Sequence, residues 1–123
     1  MELELLELIS GDEAWEIVHE GNQFNDSPGA GKEYILAKFR VKILEAETEP
    51  YDINHAQFDA YSATGVEYTG FLSVAGIEPD LRVNLYEGAE HIGYTYFMVK
   101  TDDSPVAVYM PRWDENATWF KLY

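Results

Sequence analysis

One stretch of the sequence, Glu33 to Leu44, has the most regular alternation in the chain and constrains the fold most. Its inner positions are apolar and fall on one side of an extended backbone: Ile35, Ala37, Phe39, Val41 and Ile43. Three cations, Lys38, Arg40 and Lys42, fall on the other side. Alternation of this kind is typical of a β-strand that buries one face. The stretch therefore predicts a sheet with a core on one side.

The rest of the chain has the pattern of short strands separated by turns. We predict strands at 2–9, with a bulge, and at 57–62, 66–72, 81–86, 92–100, 106–110 and 118–123. Residues 13–20 predict a short helix that Asp12 would cap and Gly21 would end. There is no room for crossover helices, so the sheet should be antiparallel. The 123 residues fit one domain, and the pattern predicts an all-β, antiparallel sandwich of about seven or eight strands.

Seven residues at inward positions of the predicted strands form the expected core: Ile35, Phe39, Val41, Val83, Leu85, Phe97 and Val99. Trp15, Trp113 and Trp119 are further candidates for core anchors, although Trp113 lies in a predicted turn.

Charge and composition exclude several classes of function. The net charge of −15 disfavours nucleic acid and anionic membrane surfaces as partners, because both are bound by clustered Lys and Arg. The chain has no cysteine, so disulfides and thiolate chemistry are excluded. No run is long and apolar enough to predict membrane insertion. The first residues, MELELLELIS, do not have the pattern of a signal peptide.

Several short motifs occur along the chain: Gly11–Trp15, Asn22–Asn25 with Pro28, Gly31–Leu36, Leu85–Gly88, Gly93, Phe97, Val99 and Trp119–Phe120. Together they resemble an uncharacterised family of domains in Gram-positive surface lipoproteins and secreted proteins, and the resemblance implies an immunoglobulin-like sandwich. The resemblance implies an extracellular or cell-surface location and a binding or structural role. It brings no catalytic residues with it. The alternative location is cytoplasmic, because the chain as given does not begin with an export segment.

Four residues are candidates for ligand contact. Asn22, Phe24 and Asn25 lie in a loop rich in turn residues, and Trp113 lies in a second turn, where its ring is expected to be exposed. In the alternative interpretation the two amides bond to backbone and Phe24 fills the end of the core.

Other polar clusters point less clearly to chemistry. The acidic loop at 45–52 suggests calcium, but its spacing does not match a known calcium loop. The three histidines are too scattered to predict a zinc site, so no metal or cofactor is expected. The basic residues of the 33–44 strand either face an anionic ligand or pair with acidic residues on neighbouring strands.

These observations predict a non-enzymatic surface domain that binds a protein partner or acts as a spacer. The alternative is a small acidic module that binds calcium or carbohydrate. The sequence leaves the oligomeric state open.

Overall fold

A computed structural model of the chain describes residues 1–45, 49–69, 72–109 and 117–123. Within these ranges there are eight strands: β1 (Glu2–Ser10), β2 (Lys32–Lys42), β3 (Tyr51–Ile53), β4 (Phe58–Tyr61), β5 (Val83–Leu85), β6 (Glu90–Lys100), β7 (Val106–Tyr109) and β8 (Thr118–Lys121). One helix, α1 (Gly11–Gly21), follows β1, and a 3-10 turn (His55–Gln57) precedes β4. All pairs of these strands are antiparallel, which confirms the predicted all-β class.

The predicted strand at 33–44 is the centre of the largest sheet. β2 pairs with β1 on one side and with β6 on the other, giving the order β1-β2-β6. The register of β1 shifts between Leu5 and Glu7, where the sequence predicted a bulge. Two smaller sheets, β3-β5 and β4-β7-β8, complete the strand pairing of the described residues.

The main core lies between the β1-β2-β6 sheet and the β4-β7-β8 sheet. Phe39 of β2 is fully buried, and its ring centroid lies 5.1 Å from that of Phe58 and 4.9 Å from that of Phe120. Six of the seven predicted core residues are buried, and Val83 is half-buried against the same cluster. This two-layer packing is compatible with a sandwich, whereas the immunoglobulin-like strand order stays a prediction.

The outer face of β2 is covered along its first half, which the alternation did not predict. Tyr34 and Leu36 are fully buried there, in a second core with Ala14 and Val18 of α1. The Trp15 ring stacks on Tyr34 with the centroids 6.1 Å apart and the planes 9° apart. The expectation that this strand buries a single face is therefore wrong for its first half, because an amphipathic helix covers those residues.

The second half of the same face carries the three basic residues, and two of them pair with acidic neighbours. Arg40 Nη1 lies 2.7 Å from Glu90 Oε1 on β6, and Arg40 Nη2 lies 3.4 Å from Glu2 Oε2 on β1. Lys38 Nζ lies 3.9 Å from Glu7 Oε2. The hydrogen bond to Glu90 is the main reason why the pKa of Arg40 is raised. Cross-strand pairing, one of the two interpretations of this stripe, thus accounts for two of its three cations.

Two local predictions about α1 had different outcomes. Gly21 is the last residue of the helix, as predicted. Asp12 is not the cap, because the helix begins at Gly11 and Asp12 lies in the first turn. The residue at the cap position is Ser10, whose side chain makes no capping hydrogen bond. The prediction at Asp12 is therefore wrong by two residues, and the acidic side chain instead lies near the positive end of the helix dipole.

The predicted returning strand at 66–72 is wrong for its described residues. Its described residues form no named strand: the backbone makes an isolated bridge between Tyr61 and Glu67, and Val66 O and Tyr68 N bond to Ser62 N and Ala60 O. The kink predicted at Gly70 lies outside the described residues.

The acidic loop predicted at 45–52 ends earlier than expected, because β3 begins at Tyr51. The strand predicted at 81–86 is shorter than expected, since only Val83–Leu85 is paired as β5. Among the helices described, none combines the length and hydropathy that a bilayer crossing requires.

Candidate functional site

The loop at 22–31, called here the Phe24 loop, is held in place by its two asparagines. Asn22 Oδ1 accepts a hydrogen bond of 2.9 Å from Phe24 N, which closes a turn. Asn25 Nδ2 donates to Val18 O at the end of α1 and to Ala75 O, each at 2.9 Å. Ala75 N donates back to Asn25 Oδ1 at 3.0 Å. These bonds confirm the interpretation that both amides bond to backbone.

A buried tyrosine holds the other side of the same loop. The Tyr34 hydroxyl donates a hydrogen bond of 2.6 Å to Asp26 O. Burial, followed by the nearby charge of Asp26, raises the pKa of Tyr34, so the phenol stays a donor across the physiological range. The Phe24 loop is thus fixed to the helix, to the segment around Ala75 and to β2.

Phe24 is at the centre of this fixed loop, and its side chain points to solvent. It is 85% exposed, more than any other large hydrophobic residue described. The alternative in which Phe24 fills the end of the core is therefore wrong. Trp113, the fourth predicted contact residue, lies outside the described residues.

A second exposed surface lies where β4 and β8 end, on the outer side of their sheet. Tyr61 and Trp119 approach each other there, with ring centroids 5.7 Å apart and planes inclined by 50°. They line an open cavity of about 590 Å³, called here the aromatic groove. Its lining is Tyr61, Ser62, Ala63, Gly65, Ser104, Val106, Trp119 and Tyr123. Trp119 is 56% exposed and Tyr123 is 62% exposed, so the expectation that Trp119 anchors the core is wrong.

Asp103 connects two loops that line the aromatic groove, one at Ala63 and the other at Ser104. Its Oδ1 atom accepts hydrogen bonds from Ala63 N at 3.1 Å and from Ser104 N at 2.9 Å. Its Oδ2 atom accepts a hydrogen bond from the Tyr68 hydroxyl. That bond, together with the backbone donor of Ala63, holds the pKa of Asp103 below its usual value.

The short motifs did not reveal this groove, but the alternation of the strands does indicate which of its aromatic residues face outward. Residues 118–122 alternate, so Phe120 and Leu122 point into the core while Trp119 points away from it. Tyr61 is placed outward by the same rule, because Phe58 and Ala60 point inward. What no pattern could supply is the pairing of β4 and β8 with the same strand, β7, which brings the two rings together.

Three polar side chains, those of Thr95, His55 and Asp80, are of the types that form a catalytic relay of hydroxyl, imidazole and carboxylate. Their hydroxyl, however, is not accessible to a substrate. His55 Nε2 lies 2.8 Å from Asp80 Oδ1, and His55 Nδ1 lies 2.8 Å from Thr95 Oγ1. Thr95 is only 1% exposed, so its hydroxyl is closed off from a substrate. These bonds tie the 3-10 turn to β6 and to the segment around Asp80.

Metal binding finds little support among the described residues. No three His, Asp or Glu side chains within them lie close enough to hold a metal ion. Glu47, one of the acidic residues considered for calcium, lies outside the described residues.

No family model matches the chain, and neither a curated protein nor a solved structure is significantly similar to it.

Proposed function

We propose that this chain is a non-enzymatic domain of a bacterial cell surface that binds a protein partner, with Phe24 as the anchor of the contact. The observation that carries the proposal is an almost fully exposed phenylalanine on a loop held by hydrogen bonds on both sides. Residues that dominate protein interfaces are commonly aromatic, and binding is stronger when the segment is already ordered. The Phe24 loop has both properties.

The charge around the loop suggests the kind of partner. Residues 1–31 contain eight Asp and Glu and no Lys or Arg. A partner would therefore present an apolar pocket for the Phe24 ring, surrounded by basic side chains. Complementary charge of this kind speeds association and weakens as salt is added.

The location and the absence of catalysis are further parts of the proposal. The surface location rests on the resemblance to Gram-positive surface domains. The assignment as a non-enzymatic domain is supported by the enclosed hydroxyl of Thr95 in the trio with His55 and Asp80. The alternative carbohydrate function has support from the exposed rings of the aromatic groove.

Site-specific crosslinking on Gram-positive cells tests the protein contact. A photoreactive phenylalanine at position 24 should crosslink to one discrete surface protein. The same group at Tyr86, which is 63% exposed and lies in another turn, is the control and should not. With that protein purified, we expect Phe24→Ala to weaken binding by about tenfold or more, since truncation of an anchor residue has effects of this size.

The outcome that contradicts the proposal is equally specific. If both positions crosslink to the same mixture of proteins, or if Phe24→Ala binds the purified partner as tightly as the original chain does, then Phe24 is not an interface anchor.

A further inference from the structure

We propose that the aromatic groove is a binding site for an uncharged oligosaccharide. It is separate from the protein contact at Phe24, since none of the residues that line it belongs to the Phe24 loop. The proposal rests on three properties of the groove, which are its exposed rings, its lack of charge and its shape.

The exposed rings offer the kind of contact that sugar rings make. A pyranose presents C–H groups on its faces, and these carry a small positive charge. The face of an aromatic ring is negative, so the two attract when they stack. Trp119 and Tyr123 have more than half of their surface open to solvent, and Tyr61 lies beside Trp119. Exposed aromatic clusters of this kind mark contact sites on soluble proteins.

The charge of the lining selects among ligands. A quarter of the residues in the chain are charged, and the net charge is −15. None of the described residues that line the groove is charged, although Lys121 Nζ lies beside it, 5.7 Å from the centroid of the Tyr123 ring. A cationic ligand would find no carboxylate among these lining residues, and an anionic glycan would be repelled by the negative charge of the whole chain. A neutral ligand is the class that both facts favour.

The shape of the groove favours a chain of sugars over a flat ring system. The groove is open and has a volume of about 590 Å³, within the usual range for ligand sites. Its two neighbouring rings are inclined by 50° to each other. A ligand that touches both must turn between the contacts, which a glycosidic linkage allows. The hydroxyls of Ser104 and of the two tyrosines supply hydrogen-bonding groups at the edge.

Calorimetric titration with soluble hexasaccharides tests the site. The neutral probes are cellohexaose, xylohexaose, mannohexaose and chitohexaose, and the charged probe is a galacturonic acid hexamer. We expect at least one neutral probe to bind with saturation and the charged probe not to bind. Trp119→Ala and Tyr123→Ala should each weaken that binding by about tenfold, as truncation of a central aromatic contact does.

Tyr86→Ala is the matched control, because it removes a ring that is 63% exposed, close to the 62% of Tyr123, but lies outside the groove, and it should leave the titration unchanged. Thermal melting of each variant establishes that it is folded. The proposal is overturned if no neutral hexasaccharide binds, if the charged one binds as tightly, or if Trp119→Ala has no effect. None of these results bears on the crosslinking at position 24, so the two proposals fail or hold separately.

Discussion

Asp103 accepts three hydrogen bonds, and through them one carboxylate connects the loops on either side of the aromatic groove. Its pKa is lowered from 3.8, mainly by the hydrogen bond from Tyr68 and then by the bond from Ala63. A carboxylate with a lowered folded-state pKa binds fewer protons when folded than when unfolded. Its contribution to stability is therefore present above pH 3.8 and is lost as the pH falls through the lower, folded value.

Replacement of this carboxylate should flatten the acid side of the stability profile. We expect Asp103→Asn to lower the free energy of unfolding at neutral pH, and to reduce the loss of that free energy as the pH falls below 3.8. Urea unfolding at a series of pH values measures both effects. Asp102→Asn is the control, because that exposed neighbour has the same charge and none of the three bonds. An equal change in both variants would contradict the role given to Asp103.

Individual side chains show where prediction from the sequence stops. The residue types at Asn22 and Asn25 predicted loop hydrogen bonds, and these exist, since such amides bond locally to backbone. The direction of the Phe24 ring and the contact between Tyr61 and Trp119 depend on segments far apart in the chain. Trp119 was expected in the core because it is large and apolar, although its place in the alternation favoured the opposite side.

At the scale of elements, α1 is held against its neighbours by a close backbone crossing at its end. A Cβ atom on Gly76 would lie 2.1 Å from Gly21 O, and the φ angle of Gly76 is +82°. Both conditions require glycine, one for space and one for conformation. The end of α1 can therefore reach the segment around Ala75, to which Asn25 also bonds.

Alanine variants at two glycines separate the energetic cost of the close backbone contact from the cost of the left-handed conformation. Gly88 has the same φ of +82°, and a Cβ atom added there would meet no other residue within 4 Å beyond its chain neighbours. We expect Gly88→Ala to cost about 1 kcal/mol for the left-handed conformation alone. Gly76→Ala should cost at least about 2 kcal/mol more, because backbone must also move.

Two measurements check the glycine pair. Urea unfolding gives the stability difference, and tryptophan emission reports whether Trp15 loses its stacking on Tyr34. Equal losses in both variants would show that the crossing of Gly21 over Gly76 does not hold the helix.

The same scale shows which elements a sequence can reveal. Long, regular segments such as β2 and β6 were predicted within a few residues, because alternation over many positions leaves few other interpretations. The predicted strand at 66–72 had the composition of a strand, yet it makes only an isolated bridge among its described residues. Strand pairing depends on a partner with a free edge, and composition does not say whether one is present.

At the scale of the whole molecule, the sequence predicted the all-β class but not how the helix and the sheets pack on one another. Nothing in the alternation of β2 showed that α1 would cover half of its outer face, whereas ion pairs on the rest of that face were one of the two interpretations of its basic residues. The strand orders β1-β2-β6 and β4-β7-β8 bring together distant parts of the chain. Such arrangements are set by packing between elements, which local patterns do not record.

The net charge of −15 makes a prediction about the entire chain. Like charges repel more strongly in the compact state than in the extended unfolded chain, so screening should stabilise the fold. We expect the melting temperature to rise between about 0.02 M and about 0.5 M sodium chloride. Ion pairs such as that of Arg40 with Glu90 act in the opposite direction, because salt weakens them. They involve few residues, whereas the excess of acidic groups extends over the chain.

A graded series of variants on α1 tests this balance. Glu16 and Glu20 are both exposed, and together their change to Gln takes the net charge from −15 to −13, while their change to Lys takes it to −11. Stability at low salt should rise in that order, and the response to salt should shrink in the same order. A melting temperature that falls as salt is added would mean that the cross-strand ion pairs outweigh the repulsion. A rise that is equal in all three chains would place the effect of salt outside the charge of this protein, for example in the hydrophobic term that salts also strengthen.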